Sequence, residues 1–251
     1  MGRMPADHLT DGEWYQLATE FPDGNSAVRL GLRLELLRSE GALKDWWFMR
    51  KAPGWRLRLR GADIAAVHRA FEELMVARWW PTIYEPETFA FGGSDGMGIV
   101  HELFCADSRG VLDYLRQEDP GIGRRELSLL LINALLQAAG LDWFERGDVF
   151  ARVAAIRPSA YDSRMDELAT DIRFFLLVRI QPPAAFAAPW FAAFETAGRL
   201  LGEAAAAGRL ERGLRAILTH VLIFHWNRFG LSATTQGILA HAAKTAILPR
   251  D

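Results

Sequence analysis

Residues 55–60, Trp55-Arg56-Leu57-Arg58-Leu59-Arg60, alternate apolar and basic side chains. Such alternation separates cleanly only in a strand, where successive side chains point to opposite faces. Leu57 and Leu59 then enter a core, while Arg56, Arg58 and Arg60 share the other face, about 7 Å apart along it. The preceding Pro53-Gly54 is a turn signal, and residues 45–50 before it form a second aromatic strand, so the pair reads as a hairpin. Three like charges on one face repel one another unless something anionic sits there. Two readings stand side by side. One is a solvated basic strand. The other is an anion cradle, because a guanidinium fork matches a carboxylate or phosphate bidentately.

The net charge of the 251-residue chain is −2, so the basic strand is a local feature and not part of a surface built for nucleic acid or membrane. A length of this order buries a large core. Half of the residues are hydrophobic and 24% are charged, a balance typical of soluble globular proteins. The single cysteine, Cys105, rules out an internal disulfide and a cysteine-rich zinc site. The start, Met1-Gly2-Arg3-Met4-Pro5, has no apolar signal core, and Ala6 breaks a myristoylation pattern. The apolar stretch 127–136 contains Ser128 and Asn133 and is too short to span a bilayer. The expected location is cytoplasmic.

Along the chain, residues 14–21 form a short first element and Pro22-Asp23-Gly24-Asn25 a turn. Residues 28–39 alternate weakly and fit a helix with Leu30, Leu34 and Leu37 on one side. Residues 63–77 have helical spacing in Val67, Phe71, Leu74 and Met75. Residues 83–91 read as extended and aromatic, interrupted by Pro86 and closed by Gly92-Gly93. Helical patterns return at 96–116, at 124–139 before Gly140, at 142–156 and at 165–180. Pro182-Pro183 is the clearest break. Helices at 189–207, 209–229 and 232–247 complete the chain. The expected class is α+β, with a mixed sheet and helices in the N-terminal half and a mostly helical C-terminal half. The expected organisation is one domain over 1–251, with a subdomain break near 181–183.

Two further segments carry candidate chemistry. Tyr84-Glu85-Pro86-Glu87 sets carboxylates among aromatic residues. Glu87 is there either an acid–base group with a raised pKa or the ion-pair partner that orients an arginine. His225-Trp226-Asn227-Arg228 closes a helix, and His225 lies near its apolar face. It is either a satisfied core histidine or, with Asn227 and Arg228 in the same turn, a proton-transfer group. Trp46-Trp47 and Trp79-Trp80 serve either as core or as the lining of a peptide groove. His101-Glu102 are adjacent and lack the spacing of a helical zinc site. No phosphate loop, dinucleotide fingerprint or serine elbow occurs. No metal and no cofactor are expected.

Taken in order, Trp47-Phe48-Met49-Arg50…Arg56-Leu57-Arg58-Leu59-Arg60, Tyr84…Glu87…Phe91-Gly92-Gly93 and His225-Trp226-Asn227-Arg228-Phe229-Gly230 resemble the thiopeptide-type bacteriocin biosynthesis domain. This is the C-terminal glutamate-elimination domain of class I lanthipeptide dehydratases, which also occurs freestanding. The likeness runs from about residue 14 to 247, and Met97…His101-Glu102-Leu103-Phe104…Asp107-Ser108 matches the freestanding form. The resemblance implies a lyase acting on a precursor peptide whose Ser or Thr is esterified by glutamate. A base removes the α-proton, glutamate leaves, and dehydroalanine or dehydrobutyrine remains. It implies Arg58, Arg60, Glu87 and His225 as catalytic residues converging on one cavity. Arg56, Asn227, Arg228 and Trp47 are the implied substrate-binding set. Arg56 stands where the family often has histidine. The family's second arginine site, three residues after the glutamate, is Ala90 here. The implied partners are the ribosomally made precursor peptide and a separate glutamylating dehydratase subunit, with a homodimer possible and no direct nucleic acid or membrane contact. Two alternatives are kept. One is the freestanding pyridine synthase of thiopeptide pathways, which joins two dehydroalanines in a formal [4+2] cycloaddition and expels the leader peptide. The other is a non-catalytic peptide-binding subunit.

Overall fold

The computed structural model describes residues 14–21, 24–52, 54–74, 78–159, 164–177 and 184–248. The chain divides into two compact units, Met1–Glu85 and Pro86–Asp251.

The first unit is built on the alternating strand. Strands β1 (Trp14–Glu20), β2 (Asp45–Lys51), β3 (Gly54–Arg60) and β4 (Arg78–Thr82) form one sheet in the order β2-β3-β1-β4. Helix α1 (Gly24–Ser39) joins β1 to β2, and helix α2 (Ile64–Glu73) joins β3 to β4. This βαββαβ order is the ferredoxin-like plan. The sheet, expected to be mixed, is antiparallel throughout. The reason is topological: the β1–α1–β2 crossover leaves one position open, and the β2–β3 hairpin returns a reversed strand into it.

Registry decides which face each side chain takes. Leu57 sits opposite Phe48 and Leu17, and Leu59 opposite Trp46 and Tyr15. Leu57 and Leu59 are both buried, as the alternation requires. Their face is the one the helices cover. Trp46 Nε1 donates to Glu35 of α1 at 2.7 Å, and Tyr15 Oη lies 3.1 Å from His68 Nε2 of α2. Leu30, Leu34 and Leu37 of α1 and Val67 and Phe71 of α2 fill the core between, and the Asp63 side chain caps α2 by accepting from the Ala66 N–H.

Several boundaries move. Gly24 and Asn25 open α1 instead of forming a turn, since the residues that favour turns also favour helix starts; Pro22 and Asp23 lie outside the described residues. So do Pro53, Met75 to Ala77, residues 178–180 and the Pro182-Pro183 break. Residues 83–91 carry no strand. The fourth strand lies earlier, around Trp79 and Trp80, where Pro81 masks a strand pattern. Pro81 has no N–H for a ladder, so it is tolerated only on an edge strand with its nitrogen turned outward, which is where β4 lies.

The second unit is helical: α3 (Gly93–Arg116), α4 (Arg124–Ala138), α5 (Trp143–Ile156), α6 (Arg164–Leu177), a 3₁₀ turn (Ala185–Ala187), α7 (Ala188–Ala206), α8 (Leu214–Phe229) and α9 (Ala233–Ile247). Helix α3 starts earlier than expected, after Gly92 in the left-handed region. Helix α8 starts later, because Gly208 ends α7 with φ 66° and Gly213 precedes the new helix. Asp142 and Glu145 form a capping box at α5. Helix α7 packs on α3 and α4, and α5 on α8 and α9.

The α4–α7 contact is close enough to need a glycine. A Cβ on Gly198 would lie 2.2 Å from the Leu135 carbonyl oxygen, a backbone atom that cannot swing away. Gly98, exposed in α3, has nothing within 4 Å of its Cβ position. Gly198→Ala is therefore expected to cost about 1–3 kcal/mol, and Gly98→Ala to stabilise by roughly 0.5–1 kcal/mol. Denaturant melts of the two variants against the parent check both signs.

Candidate functional site

Each unit contains one concentration of candidate side chains. In the first unit it is the sheet face turned away from α1 and α2. Arg56, Arg58 and Arg60 lie on that face with Trp47 and Met49 of β2, because Trp47 is opposite Arg58 and Met49 opposite Arg56. From β1, Gln16 and Ala18 flank the same positions. Arg58 is 8% exposed and Trp47 is fully buried. The Arg58 guanidinium carbon stands 4.2 Å from the Trp47 ring centre and 5.1 Å from that of Tyr84, and Nη1 donates to the Arg56 carbonyl at 3.2 Å. Arg60 lies 5.3 Å over Trp14 and 3.7 Å from the Asp45 carboxylate. Trp14 meets Trp47 and Tyr84 edge-on, each at 6.4 Å. The arginine face is thus half-buried aromatic ground rather than a solvated charge run. The negative ring faces favour each cation.

In the second unit the concentration is buried. His225, expected near an apolar face, is 1% exposed on α8. Its Nδ1–H donates to Asp107 Oδ1 of α3 at 2.9 Å, and Nε2 lies 3.0 Å from Ser128 Oγ of α4. Trp226 Nε1 donates to the same Ser128 oxygen at 2.7 Å, and Trp190 Nε1 of α7 to Asp107 Oδ1 at 2.8 Å. Arg228 Nη1 donates to Asp107 Oδ2, and its guanidinium lies 4.7 Å over Phe104. Phe194 and Phe229 wall the imidazole at 5.1 and 5.7 Å. Burial alone would raise the Asp107 carboxyl, but His225 and Arg228 outweigh it and hold it below the ordinary carboxylate range. Burial holds the Arg228 guanidinium below its ordinary range, and Asp107 offsets only part of that penalty.

Arg56, Arg58, Arg60 and Trp47 therefore share one face of the first unit's sheet, and His225 and Arg228 share the buried cluster of the second unit. Asn227 turns aside from that second group, its side-chain oxygen accepting from Gln236 Nε2 at 2.8 Å. Glu87 is exposed, with no hydrogen bond or ion pair to its carboxylate among the described residues. Ala90 follows in a turn whose N–H donates to the Glu87 carbonyl at 2.9 Å. Asp107, Ser128 and Trp190 were given no role by sequence reasoning. A signal for Asp107 existed: it continues the buried stripe of Val100, Leu103, Phe104 and Val111, and a carboxylate on such a stripe demands a partner. Among the described residues, no three His, Cys, Asp or Glu side chains gather as a metal site, and no helix is long and apolar enough to cross a membrane.

A family model described as the C-terminal part of the lantibiotic biosynthesis dehydratases matches residues 28–247. The chain belongs to this family. No curated protein matches it at a significant level. Three solved structures resemble this family member. The tRNA-dependent lantibiotic dehydratase MibB from Microbispora sp. 107891 is 18% identical, with a TM-score of 0.64 over 96% of this chain; the chain spans 28% of MibB's length. TsrL is 12% identical, with a TM-score of 0.61 over 96% of this chain and 100% of its own. The pyridine synthase TbtD from thiomuracin biosynthesis is 13% identical, with a TM-score of 0.59 over 93% of this chain and 97% of its own. At these identities the likeness establishes the fold.

The sign of the acid dependence follows from Asp107. Its folded-state pKa lies below the unfolded value, so the unfolded chain takes up the proton first as pH falls. The stabilisation is complete above an unfolded-state value of about 4 and is lost as pH drops through the folded value. Asp107→Asn is expected to cost about 3–5 kcal/mol at neutral pH by leaving Arg228 buried without its counter-charge. It also removes up to about 1.4 kcal/mol per pH unit from the acid limb. Denaturation midpoints measured from neutral pH into the acid range check both effects.

Proposed function

We propose that this chain is a peptide-modifying lyase subunit that eliminates glutamate from glutamylated Ser or Thr of a ribosomally made precursor, leaving dehydroalanine or dehydrobutyrine. Membership of the lantibiotic dehydratase C-terminal family supports the peptide substrate. One observation carries the specific reaction: Arg58 and Arg60 project from the same face of one strand, each stacked on aromatic rings. Elimination next to an amide must stabilise enolate charge and release a carboxylate. Two fixed guanidiniums in partly dry surroundings suit both needs. The proton carrier in this reading is His225 Nε2, which has to leave the Ser128 hydroxyl before it acts. Glu87 is the family's glutamate in this reading, with its carboxylate exposed. A separate glutamylating subunit supplies the ester.

With a glutamylated precursor, the protein should release glutamate and yield peptide lighter by one water per converted residue than the unmodified precursor. Arg60→Ala should accumulate the glutamyl adduct, with a rate about 10²–10³-fold lower. Mass spectrometry of the peptide together with a glutamate assay decides this. Unchanged adduct with the parent protein sinks the proposal.

A second reading, pyridine synthesis with expulsion of the leader peptide, is favoured by Ala90 at the family's arginine position and by the closed hydrogen bonding of His225. Leader release from a peptide carrying dehydroalanines would select it. Under the elimination reading, Ala90→Arg should retain or raise glutamate release; complete loss in that variant would mean that the pocket is built on other residues.

A further inference from the structure

We propose that Trp47 and Tyr84 are positioning residues that hold the Arg58 guanidinium as a fixed anion-binding plate. The inference rests on the elimination reading for its use, but the cage itself is geometric.

Arg58 reaches outward from the central strand β3, between Trp47 on the neighbouring strand and Tyr84 just beyond β4. Its guanidinium carbon lies within 4.2 and 5.1 Å of their ring centres. The two rings stand nearly perpendicular, 79° apart with centres 5.8 Å from each other, so they form a corner around the cation. Trp14 closes the outside of that corner, edge-on to both rings. A long arginine side chain ordinarily samples many rotamers. Here the corner and the bond from Nη1 to the Arg56 carbonyl fix the plane of the fork. The rings attract the cation without neutralising its charge, and a guanidinium held in one plane pays less entropy on binding an anion. Trp47 is fully buried and has no surface of its own to offer a peptide, so its part in recognition passes through Arg58.

The test replaces the side chain and keeps the cage. Glutamate release is measured for the parent, Arg58→Ala and Arg58→Ala/Tyr84→Leu, with and without methylguanidinium, and methylguanidinium binding to both variants is followed by NMR titration. Methylguanidinium should occupy the corner and restore part of the activity of Arg58→Ala. Removing the Tyr84 ring should weaken both binding and rescue by roughly 2- to 30-fold. Equal binding in the two variants, or none in either, overturns the inference. If the parent releases no glutamate, the elimination reading fails, and the NMR comparison alone still decides whether the cage binds the cation.

Discussion

The Asp107 carboxylate organises the helical unit. It accepts from Trp190, His225 and Arg228, and so ties α3 to α7 and α8 through charge-assisted bonds in a dry interior. Ser128 brings in α4 through His225 and Trp226. Apolar packing alone tolerates small shifts of one helix on another, whereas a buried carboxylate with three fixed donors does not, since each misplaced donor would leave charge uncompensated. The cluster thus selects one arrangement of α3, α4, α7 and α8 from among the many that would bury similar apolar area.

The sheet unit obeys a different constraint. Its two faces are assigned by the alternation in β3, and the neighbouring strands follow from registry. That part of the fold was legible because period-two patterning and a Pro-Gly turn are local signals. Helices α1 to α9 were legible from helical spacing, with shifts at their ends where glycine punctuation set several of the true limits. Strand β4 was not legible. It is short, lies on an edge and carries Pro81, so its identity comes from pairing with β1, far away in the chain.

The candidate site was legible in part. Arg56, Arg58 and Arg60 share a face because a strand must place them so, and Trp47 is beside them because of one hairpin. Their aromatic surroundings were not readable, since Trp14 and Tyr84 come from separate segments. For His225 the sequence left two readings, and the structure adds the facts that bear on them: complete burial and partners on both ring nitrogens. Those partners come from residues 118 and 97 positions away, beyond the reach of any local pattern.

Pro81 has a meaning for partners as well as for folding. Extended peptides often dock by lengthening a sheet, which requires an unbroken row of backbone donors and acceptors along the outer strand. At Pro81, one residue from the end of β4, that row lacks a donor. A growing ladder would stall there, which hinders a second copy from pairing along this edge. The same gap denies any peptide backbone a continuous rail on this rim, so a ligand there must be recognised by its side chains.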